Sequence, residues 1–198
     1  MEKDYYIDGN FICFKSGFDG IFTEKICENI NGYDKITIIR TTNKFINLPK
    51  HIKSIEIHNY NFPVDNLHDG LLELSFYDFY NFPLDNLPLT LKKIQVPFDY
   101  KYPLDFLPDG LECLDLFNNY ALSLKNLPSS INEIKIIYGL NDNFVMIKDM
   151  KGINKILPNL KTIKLKSPQK VSLEEIKKQI KLGKEVELKY YCILEDFK

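Results

Sequence analysis

The residues best equipped for nucleophilic or metal chemistry are four cysteines and three histidines, and their spacing works against both uses. Cys13, Cys27, Cys113 and Cys192 contain no C-x-x-C pair and no histidine at zinc-ligand spacing. Scattered thiols in a chain of 198 residues read as reduced and mostly buried, which places the protein in a reducing interior. His51 and His68, with Asp69 beside the second, come nearest to a ligand set, and we expect no metal there. No G-x-G-x-x-G, P-loop, G-x-S-x-G or H-E-x-x-H motif occurs, so neither phosphate cradling nor a nucleophile elbow is available. We therefore expect no catalytic residues, no cofactor and no enzyme activity.

A rhythm of nearly constant period positions these side chains. The steps Leu48-Pro49, Leu67-His68, Leu87-Pro88, Leu107-Pro108 and Leu127-Pro128 are 19 or 20 residues apart. Each is followed by an L-x-x-L-x-L pattern: Ile52/Ile55/Ile57, Leu71/Leu74/Phe76, Leu91/Ile94/Val96, Leu111/Leu114/Leu116 and Ile131/Ile134/Ile136. A fixed period of this length marks a solenoid, and the pattern marks a leucine-rich repeat. With the first residue of the pattern as slot 1, apolar slots 4 and 6 alternate with slots 3 and 5, as in a short half-buried strand. Stacking then forms a parallel sheet over a shared core. The return path holds only about fourteen residues and contains Pro63, Pro83 and Pro103, so a helix across the back is implausible. The expected fold is mostly β within the α/β class: a right-handed coil of short leucine-rich repeats with a parallel concave sheet and few helices, confined to the caps. An extended or 3₁₀ convex side should pack Val64, Leu84, Leu104 and Leu124 from behind, with the amides of Asn47, Asn66, Asn86 and Asn126 capping backbone at the turns.

The single domain 1–198 divides into a cap over 1–32, five to six repeats over 33–139 and an irregular longer repeat with a closing cap over 140–198. Asp8-Gly9 between apolar runs predicts a hairpin over 5–14. Thr23 should cap a short helix that exits at Gly32. The first, degenerate strand follows at 33–38. Toward the other end, the next Leu-Pro comes 30 residues after Leu127. The added length makes room for a helix over 143–151 with Phe144, Ile147 and Met150 inward and Gly152 at its end. Leu160/Ile163/Leu165 then repeats the pattern. Ser172-Leu173-Glu174-Glu175 has capping-box spacing, with Leu173, Ile176 and Ile180 on one helical face and Gly183 as the stop. A last strand begins at Val186.

The back-of-repeat residues carry a family resemblance. Tyr80-Asn81-Phe82-Pro83-Leu84-Asp85-Asn86-Leu87-Pro88, followed by Leu91-Lys92-Lys93-Ile94, resembles the FNIP repeat, a relative of the leucine-rich repeat. Asn61-Phe62-Pro63-Val64-Asp65-Asn66-Leu67 is a second copy. Tyr100 to Leu104 and Tyr120 to Leu124 are fainter ones, so the likeness spans residues 46–138. Units of that family usually carry glycine after the strand, where this chain has Tyr77, Pro97 and Phe117. The resemblance implies a protein-binding array of the kind found in amoebae and giant viruses. Its frequent F-box companion is not expected in the N-terminal 32 residues. A cytoplasmic setting follows, the host-cell interior if the chain is viral.

Composition narrows the partners. The chain has 25 lysines to one arginine, and guanidinium is the favoured reader of bases, so nucleic acid is not expected as a partner. No run of about 18 apolar residues suggests a membrane span. Residues 1–147 carry 13 basic and 20 acidic side chains; residues 148–198 carry 13 and 7. We read the lysine-rich end as solvation of the cap.

The candidate site is the concave face. Slot 7 reads Ile39, His58, Tyr77, Pro97, Phe117, Ile137, an apolar and aromatic stripe on the side away from the core, unless a bend tucks it against the turns. Exposed bands of this kind with polar rims mark interaction surfaces. The expected partner-binding residues are Tyr77 and Phe117 as anchors, His58 and Ile137 beside them, and Glu56, Glu73 and Asp115 as rim charges for a basic partner segment. Cys113 and His58 lie three strands apart, about 14 Å, too far for a thiol–imidazole pair. The alternative is a self-assembling structural protein that pairs through solenoid edges. The expected state is a monomer or weak dimer.

Overall fold

The computed structural model describes residues 4–138, 147, 149–168, 172–181 and 185–192. Its strands are β1 (Tyr5–Asp8), β2 (Phe11–Phe14), β3 (Lys35–Ile38), β4 (Ser54–Ile57), β5 (Glu73–Phe76), β6 (Lys93–Gln95), β7 (Cys113–Phe117), β8 (Glu133–Ile137), β9 (Thr162–Ser167) and β10 (Glu187–Cys192). Three short helices join them: α1 (Glu24–Asn29), α2 (Ile153–Ile156) and α3 (Leu173–Ile180). The ten strands form one sheet whose order follows the chain. β1 and β2 are antiparallel around Gly9-Asn10, and every later pair is parallel.

Alternation decides which face is buried. Residues of slots 1, 4 and 6 from Ile52 to Ile136 are at most 1% exposed. They line one side of the sheet. Val64, Leu84, Leu104 and Leu124 close the core from behind, each at most 2% exposed. The segments 58–72, 96–112 and 118–132 return by turns and extended chain, with no helix. Register is constant: Glu56, Ser75, Gln95, Asp115, Lys135, Lys164 and Lys189 sit side by side across seven strands. A side chain in one strand is therefore flanked by the equivalent ones on its neighbours.

Tyrosine, rather than the expected asparagine, ties the return segments together. Tyr60, Tyr80, Tyr100 and Tyr120 are each no more than 4% exposed. Tyr60 Oη accepts from the Phe45 amide at 3.1 Å, and Tyr80 Oη from the Val64 amide at 3.0 Å. Tyr100 Oη donates to the Phe82 carbonyl and Tyr120 Oη to the Tyr102 carbonyl, at 3.3 and 3.2 Å. Backbone groups without ladder partners are thereby satisfied inside the core. Burial pushes the Tyr60 phenol up to about 12 and raises Tyr80, Tyr100 and Tyr120 as well. Among the four asparagines, Asn66 donates to the Phe45 carbonyl. Asn47, Asn86 and Asn126 are exposed, and Asn47 takes a left-handed backbone at φ 57°.

The ends match in part. Thr23 Oγ1 accepts from the Ile26 amide at 3.3 Å, so α1 starts where the cap is expected. Gly32 follows it at φ 112°, a conformation that favours glycine. The helix expected over 143–151 lies mostly outside the described residues. Ile147 and Met150 are buried, but the described positions 147 and 149–151 are not helical, and Asp149 takes a left-handed backbone at φ 66°. Gly152, however, at φ 79°, precedes α2 instead of ending a helix. Ile176 and Ile180 are buried on α3. The chain leaves that helix at Lys181, φ 52°; Gly183 is outside the described residues.

Candidate interaction surface

Slots 3, 5 and 7 form the face of the sheet opposite the core. Parallel sheets are ordinarily covered on both faces. Among the described residues only one face carries a layer of chain, and the polar slots of the other pair with one another.

Most of the expected rim charges do so. Glu56 is bonded to Lys35 Nζ at 2.7 Å and accepts from Thr37 Oγ1 at 3.1 Å. Glu73 is exposed and accepts from Ser54 Oγ at 3.3 Å. Asp115 departs from expectation. It points to the open face but is 2% exposed, its carboxylate covered by Lys135 Nζ at 2.6 Å from the paired position on β8. It is a buried ion pair, not a rim charge.

The slot-7 stripe is interrupted at its centre. Tyr77 is 43% exposed and Ile39 36% exposed. The imidazole of His58 stacks on the Tyr77 ring at 4.9 Å and 6°, with Nδ1 3.4 Å from Asp78 Oδ2. Burial, followed by the Glu56 and Asp115 carboxylates, raises the Tyr77 phenol above its ordinary value. Phe117 and Ile137 are half-buried, and Pro97 is buried.

Pro97 also explains why β6 is the shortest strand. At the same slot His58 and Tyr77 donate their amides to Ile38 and Ile57 on the preceding strands, at 2.8 and 3.0 Å. Proline has no N–H to give Phe76. The side chain of Gln95, 5% exposed, supplies the donor instead: Nε2 lies 2.8 Å from the Phe76 carbonyl. Past the proline, alternation slips and Phe98 joins the surface aromatics. Phe98 contacts Phe79 at 5.5 Å and Phe117 at 5.4 Å, edge to face in both cases.

The open face also holds Phe98, Phe79, Lys164, Lys166 and Lys189, none of which the repeat pattern singled out. The lysines were legible: counting slots 5 and 7 from Leu160 lands on Lys164 and Lys166. Lys164 bonds Glu133 at 2.6 Å, which raises its pKa, and Lys189 pairs with Glu187 at 3.0 Å. The far end of the open face is thus lysine-rich, where the expected rim charges, Glu56, Glu73 and Asp115, are acidic.

Nothing in this arrangement activates a nucleophile. Burial, with the Glu133 and Asp115 carboxylates, raises the Cys113 thiol, and burial also raises Cys27, so both favour the unreactive protonated form. Cys13, Cys27 and Cys113 are free thiols; Cys13 is buried and the other two half-buried. His58 directly follows β4 and Cys113 lies on β7, three strands away. Among the described residues no group of three His, Cys, Asp or Glu could hold a metal ion, and no helix is long and apolar enough to cross a membrane. Comparison with family models, curated proteins and solved structures gave no match.

Proposed function

We propose that this chain is a right-handed leucine-rich-repeat solenoid of the FNIP type that works as a non-enzymatic protein-binding module. The partner lies across the open, concave face of the sheet. The observation that carries this reading is a parallel sheet with one uncovered face that presents a half-exposed tyrosine, Tyr77, stacked on His58. Aromatic side chains held on strands lose little freedom on binding and are frequent among the residues that dominate interface energy. Tyr77 and Phe117 serve as anchors, with His58 and Ile137 beside them. Glu73 and Glu56 face a basic stretch of the partner, and Lys166 beyond Ile137 faces an acidic one.

The test is capture from lysate of the native host cell by the wild-type chain and by Tyr77→Ala/Phe117→Ala, with melting curves matched. A protein retained by the first and lost by the second supports the site. Equal recovery by two equally folded chains refutes it. A second reading, self-assembly through sheet edges, draws on edge strand β1, where Tyr6 is 46% and Ile7 55% exposed. Light scattering over a concentration series decides it: a strict monomer eliminates edge pairing.

A further inference from the structure

One peptide bond of the chain is placed to react with the side chain beside it. Of the 18 asparagines, Asn31 alone is followed by glycine. Elsewhere the next residue is mostly Phe, Leu or Tyr, whose side chain crowds its own amide nitrogen. Asn31 and Gly32 are both exposed, and a Cβ added at Gly32 would meet no atom within 4 Å.

The backbone around this pair is held, and the pair itself is not. Tyr33 N–H donates to the Ile30 carbonyl at 3.1 Å and closes a four-residue turn with Asn31 and Gly32 at its centre. Ile30 is fully buried at the exit of α1, and Tyr33 packs against the core ahead of β3. Among the described residues, neither the Asn31 carbonyl nor the Gly32 amide bonds to another group of the protein. The common turn types differ chiefly in the orientation of this central peptide, so it can turn over as a plate. Gly32, at φ 112°, accepts either sign of φ. The rotation breaks no hydrogen bond and carries the Gly32 nitrogen past the Asn31 side chain.

A similar turn recurs in a locked form. Leu71 N–H donates to the His68 carbonyl at 3.3 Å around Asp69 and Gly70, with Gly70 at φ 113°. There the glycine amide is bonded to Thr90 Oγ1 at 2.8 Å, and that hydroxyl donates to the Leu71 carbonyl at 2.9 Å. Turning this peptide over costs a hydrogen bond.

We propose that Asn31 is a site of self-modification, converted in the folded protein to aspartate and isoaspartate. The Gly32 nitrogen attacks Asn31 Cγ and gives up its proton. The Cγ–Nδ2 bond breaks, ammonia leaves, and a five-membered succinimide closes. Water then adds to one of the two ring carbonyls. One opening restores the ordinary main chain with a carboxylate side chain; the other leaves the main chain one methylene longer. Water is the only co-reactant, and the hollow formed with Asn10, Asp34 and His51 leaves the pair open to it. Either product places a negative charge just past the C-terminal end of α1, where the helix dipole disfavours it. No basic residue in the last turn of α1 offsets that charge. Conversion therefore loosens the N-terminal cap as the protein ages and sets a second carboxylate beside Asp34.

The experiment incubates the full chain at mildly alkaline pH, folded and in urea, and follows its peptides by mass spectrometry. In the folded chain Asn31 should be the first residue to gain one dalton, with an oxygen taken from labelled water and ammonia released. Its rate should lie within about tenfold of that in urea. Asn31→Gln should abolish the change and leave the melting temperature as it was. In an Asp69→Asn chain, the asparagine in the locked turn should convert at least about tenfold more slowly than Asn31 while folded, and at a similar rate in urea. Converted protein should melt about 1–4 °C below fresh protein. An Asn31 that converts in urea but not in the folded chain overturns the proposal, as do equal folded-state rates at positions 31 and 69. An unchanged melting temperature overturns the effect on the cap.

Discussion

Replacing Gln95 by Leu should destabilise the protein by about 1–3 kcal/mol, the cost of leaving one buried acceptor without a donor. The acceptor is the Phe76 carbonyl, which Gln95 Nε2 serves at 2.8 Å because Pro97 has no amide proton to offer. Leu is close in volume to Gln and more apolar, so lost packing contributes little. For a chain of this size each kcal/mol moves the melting temperature by about 2–4 °C, and the midpoint in urea moves in proportion. The reasoning makes a sharper demand on the pair. Pro97→Ala restores an N–H at the slot where His58 and Tyr77 donate to the preceding strand. Alone it should change stability by no more than about 1 kcal/mol, through the extra freedom of the unfolded chain. In that background Gln95→Leu should cost markedly less, because the carbonyl then has a backbone donor. The measurement is a double-mutant cycle by urea denaturation followed by circular dichroism. If Gln95→Leu costs the same with alanine at 97 as with proline, the side-chain substitution for the missing amide is refuted.

Two other outcomes follow from buried polar groups. Lys135→Met strands the Asp115 carboxylate, 2% exposed, without its partner; the loss should be about 3 kcal/mol, and Asp115→Asn in the same chain should recover part of it in the same melts. At alkaline pH, phenols whose folded pKa lies above the ordinary tyrosine value stabilise the fold below pH ~10 and withdraw that stability as pH rises through the folded value, about 12 for Tyr60. Tyrosinate absorbance should therefore rise together with loss of the circular dichroism signal between those limits, and titration of all tyrosines near pH 10 with the fold intact would contradict the burial argument.

Strand positions were legible because L-x-x-L-x-L joins a two-residue alternation to a fixed period. That combination located β3 to β9 within a residue or two, the late strand after Leu160 included. The α1 cap was legible for a different reason: threonine at a helix start acts through its own next turn. Features that depend on neighbouring strands were harder to see. Asp115 occupies a solvent-facing slot by alternation, and only the constant register reveals that Lys135 lies beside it and covers it. Pro97 reads as one more apolar member of the stripe, although its missing amide proton shortens β6, draws Gln95 inward and releases Phe98 to the surface. Gly152 carries the ambiguity of glycine near a helix, which can begin or end one. The tyrosine column was visible in the spacing, but as letters of a motif. Its hydrogen-bonding role needed the third dimension.

Strand order that never departs from chain order makes length an adjustable property of this molecule. Glu73, Lys93 and Cys113 stand in one row on consecutive strands. A genetic deletion of residues 93–112 would bring Cys113 beside Glu73 with every core slot still facing inward, and would remove Gln95 and Pro97 in the same event. Architectures in which each layer touches only the layers on either side can gain or shed whole layers this way. The span of the sheet can then evolve separately from the chemistry that keeps each layer closed.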